Sequence, residues 1–181
     1  MTQPDRVGQF YAPGEVVQNL LSIAGKKKFL HLRISGNEPT LHRSHLLRIL
    51  EQIPRYFQFI LETNGILIGH DPSYAKDLSR FPNLYVRVSL KGASPEDFAR
   101  LTGMRAEGFS LQLKALEHLL AEGVDCFPAV MADFSSPEEI EKLKGRLKEI
   151  RRDFVDFEEE ELILYPFVVE NLQKGGISCA R

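Results

Sequence analysis

The sequence predicts an α/β protein, an incomplete parallel (β/α) barrel with about five strands present and the first strand missing. Three observations carry this. Strand-like and helical patterns alternate along almost the whole chain, which requires right-handed crossovers and a parallel sheet. Polar clusters recur just past the strand-like segments, so they gather at one end of that sheet. The alternation opens with a helix, as though the strand that should precede it were absent. An open doubly wound sheet also fits the alternation, but this opening favours the incomplete barrel.

Residues 13–24 read as the first helix: Pro13 suits its opening position, Val16, Val17, Leu20 and Leu21 form one face, and Gly25 stops it. Residues 29–35 read as a strand, and 41–53 as a helix with Leu46, Leu47, Leu50 and Ile53 at helical spacing before Pro54. A second strand covers 57–61. Asp71-Pro72 opens a short helix toward Leu78, and residues 84–90 form a third strand. Ser94-Pro95-Glu96-Asp97 supplies a hydroxyl cap, a proline whose missing N–H costs nothing there, and acids in the positive first turn. The helical signal continues through Phe109, Leu113, Leu116 and Leu120 to Gly123. A fourth strand covers 127–132. Ser136-Pro137-Glu138-Glu139 combines a capping box with proline at the first helical position, and Ile140, Leu143, Leu147 and Ile150 make one stripe. The fifth strand is read at 162–167. This divides the chain into an N-terminal tail (1–12), a barrel core (13–167) and a short polar C-terminal tail (168–181).

At 181 residues one well-buried domain suffices. A net charge of −2 gives no electrostatic case for nucleic acid or an anionic membrane as partner. The runs Lys26-Lys27-Lys28 and Glu158-Glu159-Glu160-Glu161 are local and read as solvated approaches to strands. No apolar run approaches the roughly 20 residues of a membrane span, and residues 1–6 lack the apolar core of a secretory signal. Cytoplasmic residence is the expectation. The two cysteines, Cys126 and Cys179, stand far apart and in no metal-ligand spacing. His31, His42 and His45 have no cysteine or paired carboxylate to complete a metal set, so no metal ligand is assigned.

Candidate chemistry lies at three strand ends. In Gly36-Asn37-Glu38-Pro39 the glycine permits positive φ and the proline stiffens Glu38, so carbonyls and a carboxylate can face a ligand's ammonium group. A plain strand-to-helix turn with an acid in it explains the same residues. Glu62 and Thr63, before Asn64-Gly65, suit hydrogen bonds to a ribose or other diol, or simply close a turn. Ser89 and Lys91, before Gly92, can meet an anionic group, or be an ordinary exposed strand end.

The order Ser-Gly-Asn-Glu-Pro, Glu-Thr-Asn-Gly, Ser-Leu-Lys-Gly and a Pro-Ala-Val-Met strand resembles the radical S-adenosylmethionine (radical SAM) superfamily, and within it the activating enzymes of glycyl-radical enzymes. The resemblance spans roughly residues 13–167. It implies a partial (β/α) barrel with S-adenosylmethionine and a [4Fe-4S] cluster in its mouth, the cofactor being cleaved to a 5′-deoxyadenosyl radical. Gly36, Asn37, Glu38 and Pro39 match the Gly-Gly-Glu-Pro motif that contacts the cofactor's amino group, with Asn37 in place of the second glycine. Glu62 and Thr63 match the ribose-binding acid and its neighbour. Ser89 and Lys91 match residues near the methionine carboxylate, and Val130 and Met131 residues near the adenine.

One departure bears on mechanism. The family holds its cluster with three cysteines spaced C-x-x-x-C-x-x-C after the first strand, and this sequence has no such motif. The motif and the missing strand belong at the same place, before the first helix. The expectation is therefore an N-terminally truncated core that lacks the cluster and is inactive alone. The alternative is a cluster-free barrel-like protein that binds a nucleotide-like ligand or a protein partner without catalysis. The substrate, whether protein or small molecule, is not legible. Without its first strand, the strand at 29–35 is an open edge, expected to self-associate or to be covered by residues 7–11.

Overall fold

The computed structural model describes residues 8–176. Five strands, β1 (His31–Ile34), β2 (Gln58–Thr63), β3 (Leu84–Lys91), β4 (Asp125–Met131) and β5 (Glu158–Glu160), pair in chain order, all parallel, in a curled half-barrel. Around it run the helices α1 (Pro13–Lys27), α2 (Arg43–Leu50), α3 (Ile66–His70), α4 (Pro72–Leu78), α5 (Pro95–Thr102), α6 (Gly108–Ala121), α7 (Pro137–Ile150) and α8 (Pro166–Lys174). No helix among the described residues is long and apolar enough to cross a membrane.

Strand alternation separates two faces. Phe59 and Leu61 of β2, Leu84, Val86, Val88 and Leu90 of β3 and Val130 of β4 are buried in the core with Phe109, Leu116 and Leu119 of α6. The intervening residues face the concave side. There Glu62 is in register with Arg87, Lys91 with Met131, and Met131 with Glu160. The concave face is polar because the half-barrel is open to water on that side.

Several expectations need correction. The first helix continues through Gly25 to Lys27, and Lys28, left-handed at φ 56°, ends it. A glycine costs a helix only about 1 kcal/mol, which neighbouring packing outweighs. The helix read at 41–53 is a 3-10 turn, Pro39–His42, followed by α2, and its last turn unwinds after Leu50. Helix α3 was not anticipated. The helical stretch from Ser94 to Gly123 is two helices, broken at Gly103, which caps α5 at φ 70°. The fifth strand is not at 162–167 but at Glu158–Glu160, and the apolar residues Ile163, Leu164 and Tyr165 are more than half exposed. At the end of the segment read as a fifth strand, Pro166 opens a helix that was not anticipated, α8, whose Val168 is buried.

Beyond β1 no strand pairs among the described residues. Phe10 is exposed and packs edge-on against His45 of α2. Val7 lies outside the described residues.

Candidate functional site

The loop after β1 turns through two left-handed residues, Gly36 (φ 91°) and Asn37 (φ 49°). A Cβ on Gly36 would meet nothing within 4 Å, so φ and not space calls for glycine there. Asparagine is among the few other residues that visit this region readily, so it can stand where a glycine is expected. Glu38 is extended (φ −140°, ψ 101°) ahead of Pro39, as a residue before proline should be. Its Oε1 accepts from Thr40 N (3.0 Å), Thr40 Oγ1 (2.6 Å) and Thr63 Oγ1 (2.7 Å), and its Oε2 from Asn64 N (2.7 Å). One carboxylate thus pins the β1 loop to the end of β2. Gly36 and Asn37 are left to face the cleft.

The ends of β2 and β3 are braced from behind. Gln112 of α6 is fully buried, and its Nε2 donates to the carbonyls of Asn64 (2.8 Å) and Ser89 (2.9 Å). Its Oε1 accepts from Lys91 N at 3.4 Å. Gly65 lets α6 approach: a Cβ there would sit 2.9 Å from Val88 Cγ1 and 3.0 Å from Ala115 Cβ. Gln112 was not anticipated, although a lone amide in the apolar stripe of α6 was a legible signal, because buried polar groups need partners.

The floor is an ion-pair network. Arg87, 9% exposed, reaches Glu62 (2.6 Å) and Glu160 (2.7 Å) through Nη1 and Glu158 (2.6 Å) through Nε. Arg33 also pairs with Glu62, on the same Oε1 that Arg87 uses. Lys91 Nζ donates to Ser89 Oγ (2.6 Å) and to Glu160 Oε2 (3.0 Å). Arg33, Arg87 and Lys91 therefore balance Glu62, Glu158 and Glu160. Burial acts to raise the Glu160 pKa, but the Lys91 charge and the hydrogen bonds from Lys91, Arg87 and Ser89 outweigh it and hold the carboxyl below its ordinary value. Burial likewise opposes the Arg87 charge, and the bonds to Glu158 and Glu160 reverse that, leaving its pKa raised. Arg87 and Glu160 are the main residues that the sequence reading missed. A lone arginine inside the apolar strand Leu84–Lys91 was the available signal, since a buried charge demands a carboxylate.

Gly36, Asn37, Glu62, Thr63, Ser89 and Lys91 line one cleft of about 560 Å³ at the carboxyl ends of the strands, together with Asn64 and Glu160. Glu38 is bound to its wall through Thr63, and Pro39 opens the turn beyond it. Met131 ends β4 between Lys91 and Glu160 in register, outside the lining. Val130 is fully buried, its side chain in the core and not in the cleft.

The radical SAM superfamily model matches residues 2–157, and the chain belongs to that superfamily. The fold is shared with two solved structures of Streptococcus suis SuiB. One is bound to the precursor peptide SuiA (TM-score 0.67, 17% identity) and covers 96% of this chain and 42% of that one. The other is bound to S-adenosylmethionine (TM-score 0.66, 16% identity), with the same 96% and 42% coverage. The chain thus spans about two-fifths of the length of these structures, 42% in each case. No curated protein matches it.

The described residues do not fit the superfamily's iron–sulfur cluster. No group of three or more His, Cys, Asp or Glu among them could hold a metal ion. Cys126 lies toward the amino end of β4, opposite Val86 in register and away from the cleft, and burial pushes its thiol up to about 12. Cys179 lies outside the described residues.

Proposed function

We propose that this chain is the cofactor-binding core of a radical SAM enzyme, taking S-adenosylmethionine in the strand-end cleft. The observation that carries this is the convergence of the loop residues Gly36 and Asn37 with the carboxyl ends of β2 (62–64) and β3 (89–91) on one cleft in a chain of this superfamily. The carbonyls of the first loop suit an ammonium group. Both arginine bonds to Glu62 fall on Oε1, which leaves Oε2 to accept from a ribose hydroxyl beside Thr63. A solved structure of the same fold is described as bound to S-adenosylmethionine. Cleavage to a 5′-deoxyadenosyl radical draws an electron from the cluster, and the 181 residues carry two cysteines, one of them at the wrong end of a strand. This chain on its own therefore binds the cofactor and does not cleave it.

Titration of the purified chain with S-adenosylmethionine, followed by amide shifts, tests the reading. Binding is expected with a Kd of about 0.1–1 mM, with shifts at Asn37, Thr63 and Ser89. No shift at these residues at saturating ligand refutes it. The self-neutralised floor also suits a barrel that binds another nucleotide-like ligand without turnover, and that reading gains if adenosine binds equally well.

A further inference from the structure

Ser89, Lys91 and Arg87 together form an anion site, a hydroxyl, an ammonium and a guanidinium directed at one point on the cleft floor. The chain fills that point with its own carboxylate. Glu160 lies 2.7 Å from Arg87 Nη1, 2.9 Å from Ser89 Oγ and 3.0 Å from Lys91 Nζ. Its side chain is 16% exposed, and its backbone is held in register with Met131 at the end of β5. An incoming carboxylate or phosphate would meet a resident negative charge on the same donors, and like charges sharing one ammonium in a partly desolvated site repel. Arg87 does not depend on Glu160 for its own balance, because Glu62 and Glu158 each lie 2.6 Å from it. The distinct consequence of Glu160 is the charge preference of the cleft.

We propose that Glu160 is a specificity-determining residue: a built-in counter-ion that fills the anion subsite at Ser89 and Lys91. It makes the cleft favour ligands that present a neutral or cationic group there over those that present a carboxylate or phosphate. For the nucleoside ligand this rests on the S-adenosylmethionine reading; for simple anions it rests on the cleft alone.

The test compares the wild type, Glu160→Gln and the double variant Glu160→Gln with Lys91→Met, each checked for fold by circular dichroism. Inorganic sulfate, titrated at constant ionic strength and read by the amide shifts of Lys91 and Gly92, should bind Glu160→Gln and neither the wild type nor the double variant. Equal sulfate binding by wild type and Glu160→Gln, or a gain that survives Lys91→Met, overturns the proposal; a mere loosening of β5 would not be reversed by Lys91→Met. If Glu160→Gln is unfolded, Glu160→Asp, which withdraws the carboxylate from Lys91 by one methylene, should show a smaller gain, and no gain overturns the proposal. In the second arm, the wild type should bind decarboxylated S-adenosylmethionine about tenfold tighter than S-adenosylmethionine, and Glu160→Gln should abolish that preference. A wild type that binds the two equally, or prefers the carboxylated ligand, overturns the role of Glu160 and leaves the cofactor reading standing. Failure of every variant to bind either nucleoside removes the cofactor reading, and the sulfate arm still decides Glu160.

Discussion

Glu38→Ala removes the one carboxylate that joins the β1 loop to β2, and the loss can be worked out bond by bond. Four donors lose their acceptor: the N–H groups of Thr40 and Asn64 and the hydroxyls of Thr40 and Thr63. Hydrogen bonds to a charged group contribute about 1.5–3 kcal/mol each, so simple addition would give about 6–12 kcal/mol. That sum is too large, because the loop lies at the surface and water can reach the two amides once it moves. The hydroxyls are different, since Thr40 and Thr63 are only 1% and 3% exposed. Thr63 Oγ1 keeps its contact as acceptor from Gly65 N, but its own proton is left without a partner. Two stranded hydroxyl donors at about 1.5 kcal/mol each give a loss of about 3 kcal/mol. In urea, with a slope near 2 kcal/mol/M, the unfolding midpoint should fall by about 1.5 M with the slope unchanged. Glu38→Gln keeps one acceptor oxygen but turns an amide donor onto other donors, and should fall about half as far. A loss below about 1 kcal/mol for Glu38→Ala would refute the account of Glu38 as the pin between the two strand ends.

Gly92→Ala should cost about 3 kcal/mol in urea unfolding and Gly103→Ala only about 1, because both have positive φ (81° and 70°) but only at Gly92 does the new Cβ fall 2.4 Å from another atom, Asp97 Cβ. Arg87→Met leaves Glu62, Glu158 and Glu160 without their shared guanidinium and should lose about 3–5 kcal/mol at pH 7, a deficit that shrinks in acid as Glu158 and Glu160 protonate. In the wild type the sign reverses. The folded-state pKa values of Glu158 and Glu160 are lowered, so their contribution is fully present above the unfolded value near 4.3 and is lost as pH falls through the folded values. A thermal-melt series from pH 7 to about pH 3 distinguishes the two. Anaerobic reconstitution with iron and sulfide should leave the purified chain colourless, and a visible charge-transfer band with about four irons per chain would overturn the inactive reading.

The first four strands were legible because each is a short run with apolar residues on the core face; β1, β2 and β3 are closed by Ser35-Gly36, Asn64-Gly65 and Gly92, and β4 by Ala132-Asp133. The fifth was not, for a physical reason. Its residues, Glu158–Glu160, carry no apolar side chain, and what holds them is the ladder to Met131 and the cations of β3. The more strand-like 162–167 is an exposed segment leading into α8. The same error hid half of the site. Gly36, Thr63 and Lys91 could be found from strand ends alone, but Glu160 becomes visible only when the acidic run is recognised as a strand with one face toward Arg87. Gly25 misled in the opposite sense: a glycine stops a helix when the backbone must go left-handed, and here Lys28 does that three residues later.

Strands that pair in chain order need never wait for a partner not yet synthesised. As the polypeptide leaves the ribosome, β2 can settle on β1, β3 on β2 and β4 on β3, each after one helical crossover has been made. Until β5 emerges, Arg33, Arg87 and Lys91 have only Glu62 of that network against them, an excess of two positive charges on the concave side. That unsatisfied charge draws in a three-residue strand with nothing greasy to bury and, by admitting Glu158 and Glu160 at Arg87 and Lys91, sets its register. Electrostatics here does the placing that hydrophobic burial does for the other four strands, so the docking of β5 should be more sensitive to salt than theirs.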